Sequence, residues 1–542
     1  MTGPDSPGTD PDRSTAARMH RDGVTRDATE LDHGGPALDS PPAAAGVARR
    51  SLIPEINRRR VLQLGAVGLL GASLGRPAWA WAQTSGATGV DAALAEPETI
   101  RSANGFLRVE LEVAETSLTV GGRPAVMLTY NGTVPGPTIR VRPGDRLQVR
   151  LTNRLAVPTN LHTHGLHVSP AGNGDNTFVH VHPGESFDYE YQLPDDHPPG
   201  PFWYHPHEHH LVADQIWSGL YGGIVVEDLE EVPVSRDRVL VISDTTLDAS
   251  GHPQQVSDKE RMMGREGQLI LVDGQLRPTL TARPGERERW RIVNACTSRY
   301  LRLRLDGQRL DLLATDIGRL PEPRRVEEIV LFPSSRADVL VSAVPGVSAL
   351  EGLAISRMRS REGGAPSGAP GALATFQVSG SPVPALPPVP PYPEHPDLRG
   401  AQPAARRQLV LAMGEGGSRG TDDGAAHGTG ESGVFASIDG RPFDPDRTDQ
   451  VVHLGTVEEW TIRNHSGMNH PFHLHVWPMQ HISTDGRAVG PIVYLDVVDV
   501  PAGGEVTVRI PFEDFAGRTV YHCHINDHED GGMMGVVEAR AG

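Results

Sequence analysis

The chain has 542 residues, enough for three or four domains at roughly 150 residues each. Its 50 basic and 68 acidic side chains leave a net charge of −18, which argues against nucleic acid or an anionic membrane as the main partner. Two cysteines rule out a disulfide framework, while 61 glycines and 47 prolines favour turn-rich β structure over helical bundles. Histidine, at 24 residues, is the outlier.

Residues 1–50 are rich in Pro, Gly, Ala, Asp and Arg without apolar periodicity, a composition expected to be disordered. Arg58-Arg59-Arg60 then precedes an apolar run from Val61 to Leu74, and small residues follow at Ala78, Ala80 and Ala82. A basic region, a short apolar region and A-x-A spacing describe an export signal. The run falls short of the roughly 20 apolar residues a membrane span needs. Paired arginines beside Val-Leu read as the twin-arginine type. Residues 1–82 are thus expected to be an extension plus signal, with an internal start such as Met19 shortening it. The mature protein is expected to be exported, periplasmic or extracellular, with no membrane span.

An internal repeat divides the remainder. Asn131-Gly132 is followed by Pro137-Thr138-Ile139, Pro143-Gly144-Asp145 and a strand ending at Asn153. Asp273-Gly274 is followed by Pro278-Thr279-Leu280, Pro284-Gly285-Glu286 and a strand ending at Asn294. A looser copy has Asp439-Gly440, Leu454-Gly455 and a strand ending at Asn464. Asn-Gly and Asp-Gly signal tight hairpin turns. Stretches such as Arg146–Leu151 alternate with the period of a strand. The expected fold is all-β, with Greek-key sandwich or barrel domains over 100–231, 232–380 and 397–542. Eight prolines within 382–396 make a stiff spacer of roughly 45 Å, at about 3.1 Å per residue. That length could return the third domain onto the first. Segments 360–372 and 415–433 read as polar, Gly-rich loops.

The chemistry lies in four histidine clusters. His162-Thr163-His164-Gly165 and His205-Pro206-His207 fall in the first domain; His470-Pro471-Phe472-His473-Leu474-His475 and His522-Cys523-His524 with His528 and Met533 fall in the third. No histidine occurs between His252 and His395, so the middle repeat carries no such site. His-x-His on a strand places both imidazoles on one face, because the side-chain period is two. One cysteine with two histidines and a distant methionine is the ligand set of a blue-copper centre; zinc is the rival metal, but thiolate with thioether favours copper. Cys523 must point opposite to its neighbours, so it would join two metal sites through covalent bonds.

On these motifs the chain resembles the multicopper oxidase family, in particular its three-domain, laccase-like members. H-x-H-G, H-x-H, H-P-x-H-x-H and H-C-H-x-x-x-H-x-x-x-x-M occur in order. The resemblance implies three cupredoxin domains and four copper ions. It assigns His470, Cys523 and His528 to the type 1 copper, with Met533 as weak axial ligand. It gives His162 and His473 to type 2, and His164, His205, His207, His475, His522 and His524 to the type 3 pair. It further implies one-electron oxidation of phenols, aromatic amines or similar small reductants, coupled to reduction of dioxygen to water. Substrate would deliver electrons at an exposed edge of His470 or His528. Asp175 stands near the family's acidic residue beside the trinuclear cluster, with a turn aspartate as the bland alternative. Glu529 stands where some relatives carry a proton-delivering glutamate, against a solvated acid. His209 and His210 read as neighbours of the site or surface groups, and Cys296 as a small buried hydrophobe. A monomer is expected. Two other classes stay open: a cuprous oxidase of copper homeostasis, disfavoured by few methionines, and a copper-free structural relative.

Overall fold

The computed structural model describes residues 91–358, 368–414 and 434–542. The proposed extension and signal over 1–82, the loop 415–433 and most of the loop 360–372 lie outside the described residues. Gly371 and Ala372, expected in that loop, instead open the strand Gly371–Val378.

The described chain forms six sheets that enclose three apolar clusters. Each cluster is sealed between two sheets drawn from one stretch of sequence, giving three cupredoxin-like β-sandwiches as expected. The same construction recurs in each. An early strand runs parallel to the strand that carries the repeat's alternating pattern: Phe106–Val120 with Arg146–Asn153, Arg236–Thr245 with Arg287–Asn294, and Ala405–Met413 with Thr456–Asn464.

The repeat motifs play recurring physical roles. Asn131, Asp273 and Asp439 adopt φ of 53°, 49° and 54°, and the glycines after them φ of 78°, 73° and 71°. Two successive positive φ values define the tight hairpin turn that Asn-Gly and Asp-Gly favour. Each turn residue's side chain also accepts a backbone N–H from the neighbouring strand, from Glu112, Val241 and Val410 at 2.7, 2.8 and 2.8 Å. The asparagines at the strand ends are buried and staple the following loop. The Asn153 amide donates to the Val157 and Val181 carbonyls, both at 2.8 Å. Asn464 donates to Met468 and Val500 at 2.7 and 3.0 Å. Asn294 donates to Arg299 and Phe332, both at 2.9 Å, and to Leu331 at 3.2 Å. In each case the side-chain oxygen accepts the N–H two residues on. In the first and third sandwiches the stapled loop leads into a histidine strand.

The proline-rich segment lies against the middle sandwich before it enters the third. Tyr392 N–H donates to the Pro321 carbonyl at 2.9 Å, and Arg319 stacks over the Tyr392 ring at 5.2 Å. Further on, Tyr494 O–H donates to Pro396 at 2.9 Å, tying the spacer to the third sandwich.

The asparagine staples predict a stability effect. Asn294→Ala removes one side chain and leaves several buried carbonyls without a donor, a loss of roughly 2–4 kcal/mol. Thermal unfolding of the full chain should show a clearly lowered midpoint; an unchanged midpoint would mean that the staple contributes nothing.

Candidate metal centre

Strand pairing sorts the histidines into two nests. Strand His470–Leu474 pairs antiparallel with Gly517–Cys523, Phe472 opposite Cys523 and His473 opposite His522. Paired residues share a face and successive ones alternate. His470 therefore joins the Cys523 face, and His473 the His522 face. In the first sandwich His162 pairs with His205 and His164 with Trp203, which puts those imidazoles on one face too.

On the Cys523 face the chain turns back at once through the short helix Asn526–Asp530, which returns His528. Cys523 Sγ lies 3.4 Å from His470 Nδ1 and 3.8 Å from His528 Nδ1, and the two imidazole nitrogens are 3.2 Å apart. Met533 is held beside them: its N–H donates to the His528 carbonyl at 2.8 Å, and its carbonyl accepts from Cys523 N–H at 3.0 Å. All four residues are fully buried. Burial pushes the Cys523 thiol far above its ordinary range, so a thiolate there requires a cation beside it.

Across the strand, donor atoms converge in three all-histidine groups, each within 4.8 Å: His162, His164 and His473; His164, His205 and His524; His207, His475 and His522; Asp175 joins His162 and His475 in a fourth. His207 Nε2 and His475 Nε2 lie 3.2 and 3.0 Å from His522 Nε2. Buried ring nitrogens of His162, His164, His205, His473, His475 and His524 have no hydrogen-bond partner among the described residues. Burial depresses their basicity, to about 3 for His205 and about 4 for His207, so the rings are neutral at physiological pH. Neutral imidazoles aiming unshared lone pairs at common points suit metal cations, and the thiol with its two histidines suits copper. The donor set present therefore fits the expected group.

Several of the other ring nitrogens are tied down, which fixes which nitrogen of those rings faces inward. His205 Nδ1–H donates to the Pro206 carbonyl at 2.8 Å, and His473 Nδ1–H to the Asp496 carbonyl at 2.7 Å. Asp175 is buried and takes His162 Nδ1–H at 2.9 Å and the Thr163 N–H at 2.9 Å. Burial pushes its carboxyl up to about 7, against the Thr163 hydrogen bonds. Glu529 is no solvated acid: it is fully buried, 3.1 Å from His522 Nδ1 and 3.3 Å from His207 Nε2. Burial opposes its charge, but the His522 and His207 imidazoles and the donors on His522 and Asn526 outweigh that and draw it down to about 2.

The expected exposed histidine edge is absent. His470 and His528 are both fully buried. His470 Nε2 meets the Ser466 hydroxyl at 2.7 Å, and His528 Nε2–H donates to the Met262 carbonyl at 3.0 Å. Met262 belongs to the helical turn Asp258–Met263 of the middle sandwich and is 47% exposed. His209 has a buried Nδ1 without a hydrogen-bond partner among the described residues and packs edge-on against Phe443 at 4.5 Å, while His210 faces the Asp530 carbonyl at 3.2 Å. Cys296 is buried as a small hydrophobe. Sequence reasoning missed Ser466, Met262, Asp496 and Arg336, which reach the nests from loops or from the repeat without a histidine cluster; no motif marks them.

Three multicopper oxidase family models match residues 112–231, 226–348 and 419–542. The chain is 28% identical to the multicopper oxidase mco of Staphylococcus epidermidis over 76% of its length and 83% of that protein. It is 30% identical to the cell division protein FtsP of a Rahnella species, over 77% of its length and 84% of that protein. A multicopper oxidase structure from Campylobacter jejuni, titled a metallo-oxidase, superposes with a TM-score of 0.72 at 30% identity, covering 84% of this chain and 96% of that one. The chain belongs to the multicopper oxidase family, and membership implies copper binding.

The opposed faces of one strand predict a separable spectrum. Purified protein should be blue through thiolate-to-copper charge transfer. Cys523→Ser should lose that absorption and keep most of the copper on the histidine face; a Cys523→Ser protein that stays blue would refute the reading of Cys523.

Proposed function

We propose that the protein is a laccase-like oxidase with four copper ions, which oxidises phenols, aromatic amines or similar small reductants and reduces dioxygen to water. The observation that supports this reading best is the strand Gly517–Cys523 with its continuation to His524: a thiol aimed into one nest and imidazoles aimed into the other, with all partner donors buried and convergent. In this reading His470, Cys523, His528 and Met533 hold the type 1 ion. His162 and His473 hold type 2, and His164, His205, His207, His475, His522 and His524 hold the type 3 pair. Copper held in these places would supply one-electron redox chemistry, which the four-electron reduction of dioxygen requires. The three domains span 100–231, 232–380 and 397–542, joined by the spacer 381–396. Residues 1–82 act as extension and twin-arginine signal, so the working form is exported, and it works as a monomer.

The chain's own groups supply protons and access. The Asp175 carboxylate holds the His162 ring by its Nδ1–H and has Thr163 as its other donor. A proton carried on Asp175 would be released inside the nest where oxygen is consumed. Glu529 bridges His522 and His207 on the opposite flank; drawn down to about 2, its carboxylate would accept a proton and pass it on rather than hold one in store. Electrons from a reductant enter over the Met262 peptide, which lies against His528 Nε2.

A second reading has one specific observation in its favour. Met262-Met263, one of two adjacent methionine pairs in the sequence beyond the signal, lies over the Cys523 nest. Met468 is also close by and forms a backbone bridge with Met358. Those thioethers suit cuprous ion as a reductant. A panel of phenols, aromatic amines, bilirubin and cuprous ion, with oxygen uptake as common readout, separates the two readings. Protein that stays free of copper after loading would instead favour a structural relative.

Two outcomes are expected. Asp175→Asn is nearly isosteric and should slow turnover by about 10-fold or more while substrate still bleaches the blue band at the wild-type rate. Turnover at the wild-type rate would reduce Asp175 to a turn residue. Met533→Leu would remove a weak thioether donor, so a bound cupric ion would lose more than a cuprous one and the potential would rise; each increment of about 59 mV is tenfold in the electron-transfer equilibrium. Redox titration of the blue band reads this directly, and an unchanged or lowered potential would shift the donor role to Met534.

A further inference from the structure

The middle sandwich contains no histidine ligand, yet one of its side chains reaches the trinuclear nest. Arg336 opens the strand Arg336–Ser342 and is fully buried. Its backbone N–H and guanidinium both meet Asp316 of its own sandwich, at 2.8 and 3.3 Å. Its Nε–H donates to the Pro201 carbonyl of the first sandwich at 3.2 Å, and the guanidinium lies over the Phe202 ring at 5.6 Å. Its Nη1–H donates to Asp496 Oδ1 of the third sandwich at 2.8 Å. One cation therefore touches all three units at a single point.

Asp496 carries that contact to two expected copper ligands. Its backbone carbonyl takes His473 Nδ1–H at 2.7 Å, and its Oδ2 faces His164 Nε2 at 3.3 Å. Neither Oδ2 nor that Nε2 has a hydrogen-bond partner elsewhere among the described residues. His164 and His473 stack face to face with ring centroids 4.0 Å apart. The space beside them is closed by Gly165: a Cβ there would lie 2.3 Å from Asp496 Oδ2 and 2.6 Å from Arg336 Nη2. The glycine of the H-x-H-G motif is thus the residue that lets the Arg336–Asp496 pair approach the histidine strand.

We propose that Arg336 is a positioning residue for the trinuclear nest. Through Asp496 it fixes the ring orientations of His164 and His473, so the copper-free sandwich sets the affinity of a site to which it gives no ligand. An aspartate alone at that place would be an unpaired buried charge, free to turn toward any passing cation. The guanidinium neutralises it and holds one oxygen, leaving the other for His164. The proposal rests on His164 and His473 being copper ligands.

Chelator titration of the copper-loaded full chain tests it, with the type 2 electron paramagnetic resonance signal and the blue band followed together. Asp496→Asn and Arg336→Met should each lose the type 2 signal at about 10- to 100-fold lower chelator, with the blue band and its own extraction point unchanged. Arg336→Lys, which keeps the charge but not the fork, should fall between these and the wild type. If Arg336→Met does not accumulate, Arg336→Lys and Asp496→Asn carry the same comparison. A type 2 signal extracted at the wild-type chelator concentration, or one lost in parallel with the blue band, would overturn the proposal. A wild-type chain that takes up no copper would instead overturn the ligand reading on which it rests.

Discussion

Alternation along a single strand governs the rest of this molecule. His522, Cys523 and His524 are consecutive, so an extended backbone must send the thiol to one side and both imidazoles to the other. Everything needed to complete either nest has to come to that strand. The antiparallel partner His470–Leu474 supplies both sides by the same rule, and the turn after Ile525 returns His528 and Met533 to the thiol side. The first sandwich then has to dock its own histidine strands against the remaining side. The fold can be understood as three repeated scaffolds arranged to bring two pairs of histidine-bearing strands together.

The repeats explain how this is possible with little new structure. The turn pairs Asn131-Gly132, Asp273-Gly274 and Asp439-Gly440 and the staples Asn153, Asn294 and Asn464 recur whether or not histidines follow them. They belong to the scaffold. The histidines sit on strands that the staples place, so their presence in two copies and absence in the third leaves the architecture intact. The middle copy contributes in another way, since Arg336, held by Asp316, and the Met262 carbonyl both reach the edges of the nests.

Much of this was legible in the sequence, and the reason is local. Tight turns, alternating strands and His-x-His spacing are each decided by a few adjacent residues, so the repeat, the all-β fold and the clustering of donors could be read directly. What could not be read depends on residues far apart in the chain. Asp496 and Arg336 are 160 positions apart and carry no motif. Glu529 could be a solvated or a buried acid on its sequence, because its burial is set by His207 of a different sandwich. The expectation of an exposed histidine edge failed for the same reason: the cover over His528 is a carbonyl some 266 residues earlier, and a backbone atom has no sequence signature. The loop expected over 360–372 ended early because Gly371 pairs into a strand with Gly352.

The capped outer nitrogens of His470 and His528 bear on how fast charge can pass, apart from where it enters. An imidazole edge open to water must have its surrounding dipoles rearranged each time the charge beside it changes. Here a serine hydroxyl and a peptide carbonyl, both fixed by the fold, stand in place of mobile water. Fixed dipoles need little rearrangement when an electron arrives or leaves. On the proposed function, a reductant would meet the Met262 peptide at this edge, so ease of oxidation would matter more than shape in deciding which small molecules react.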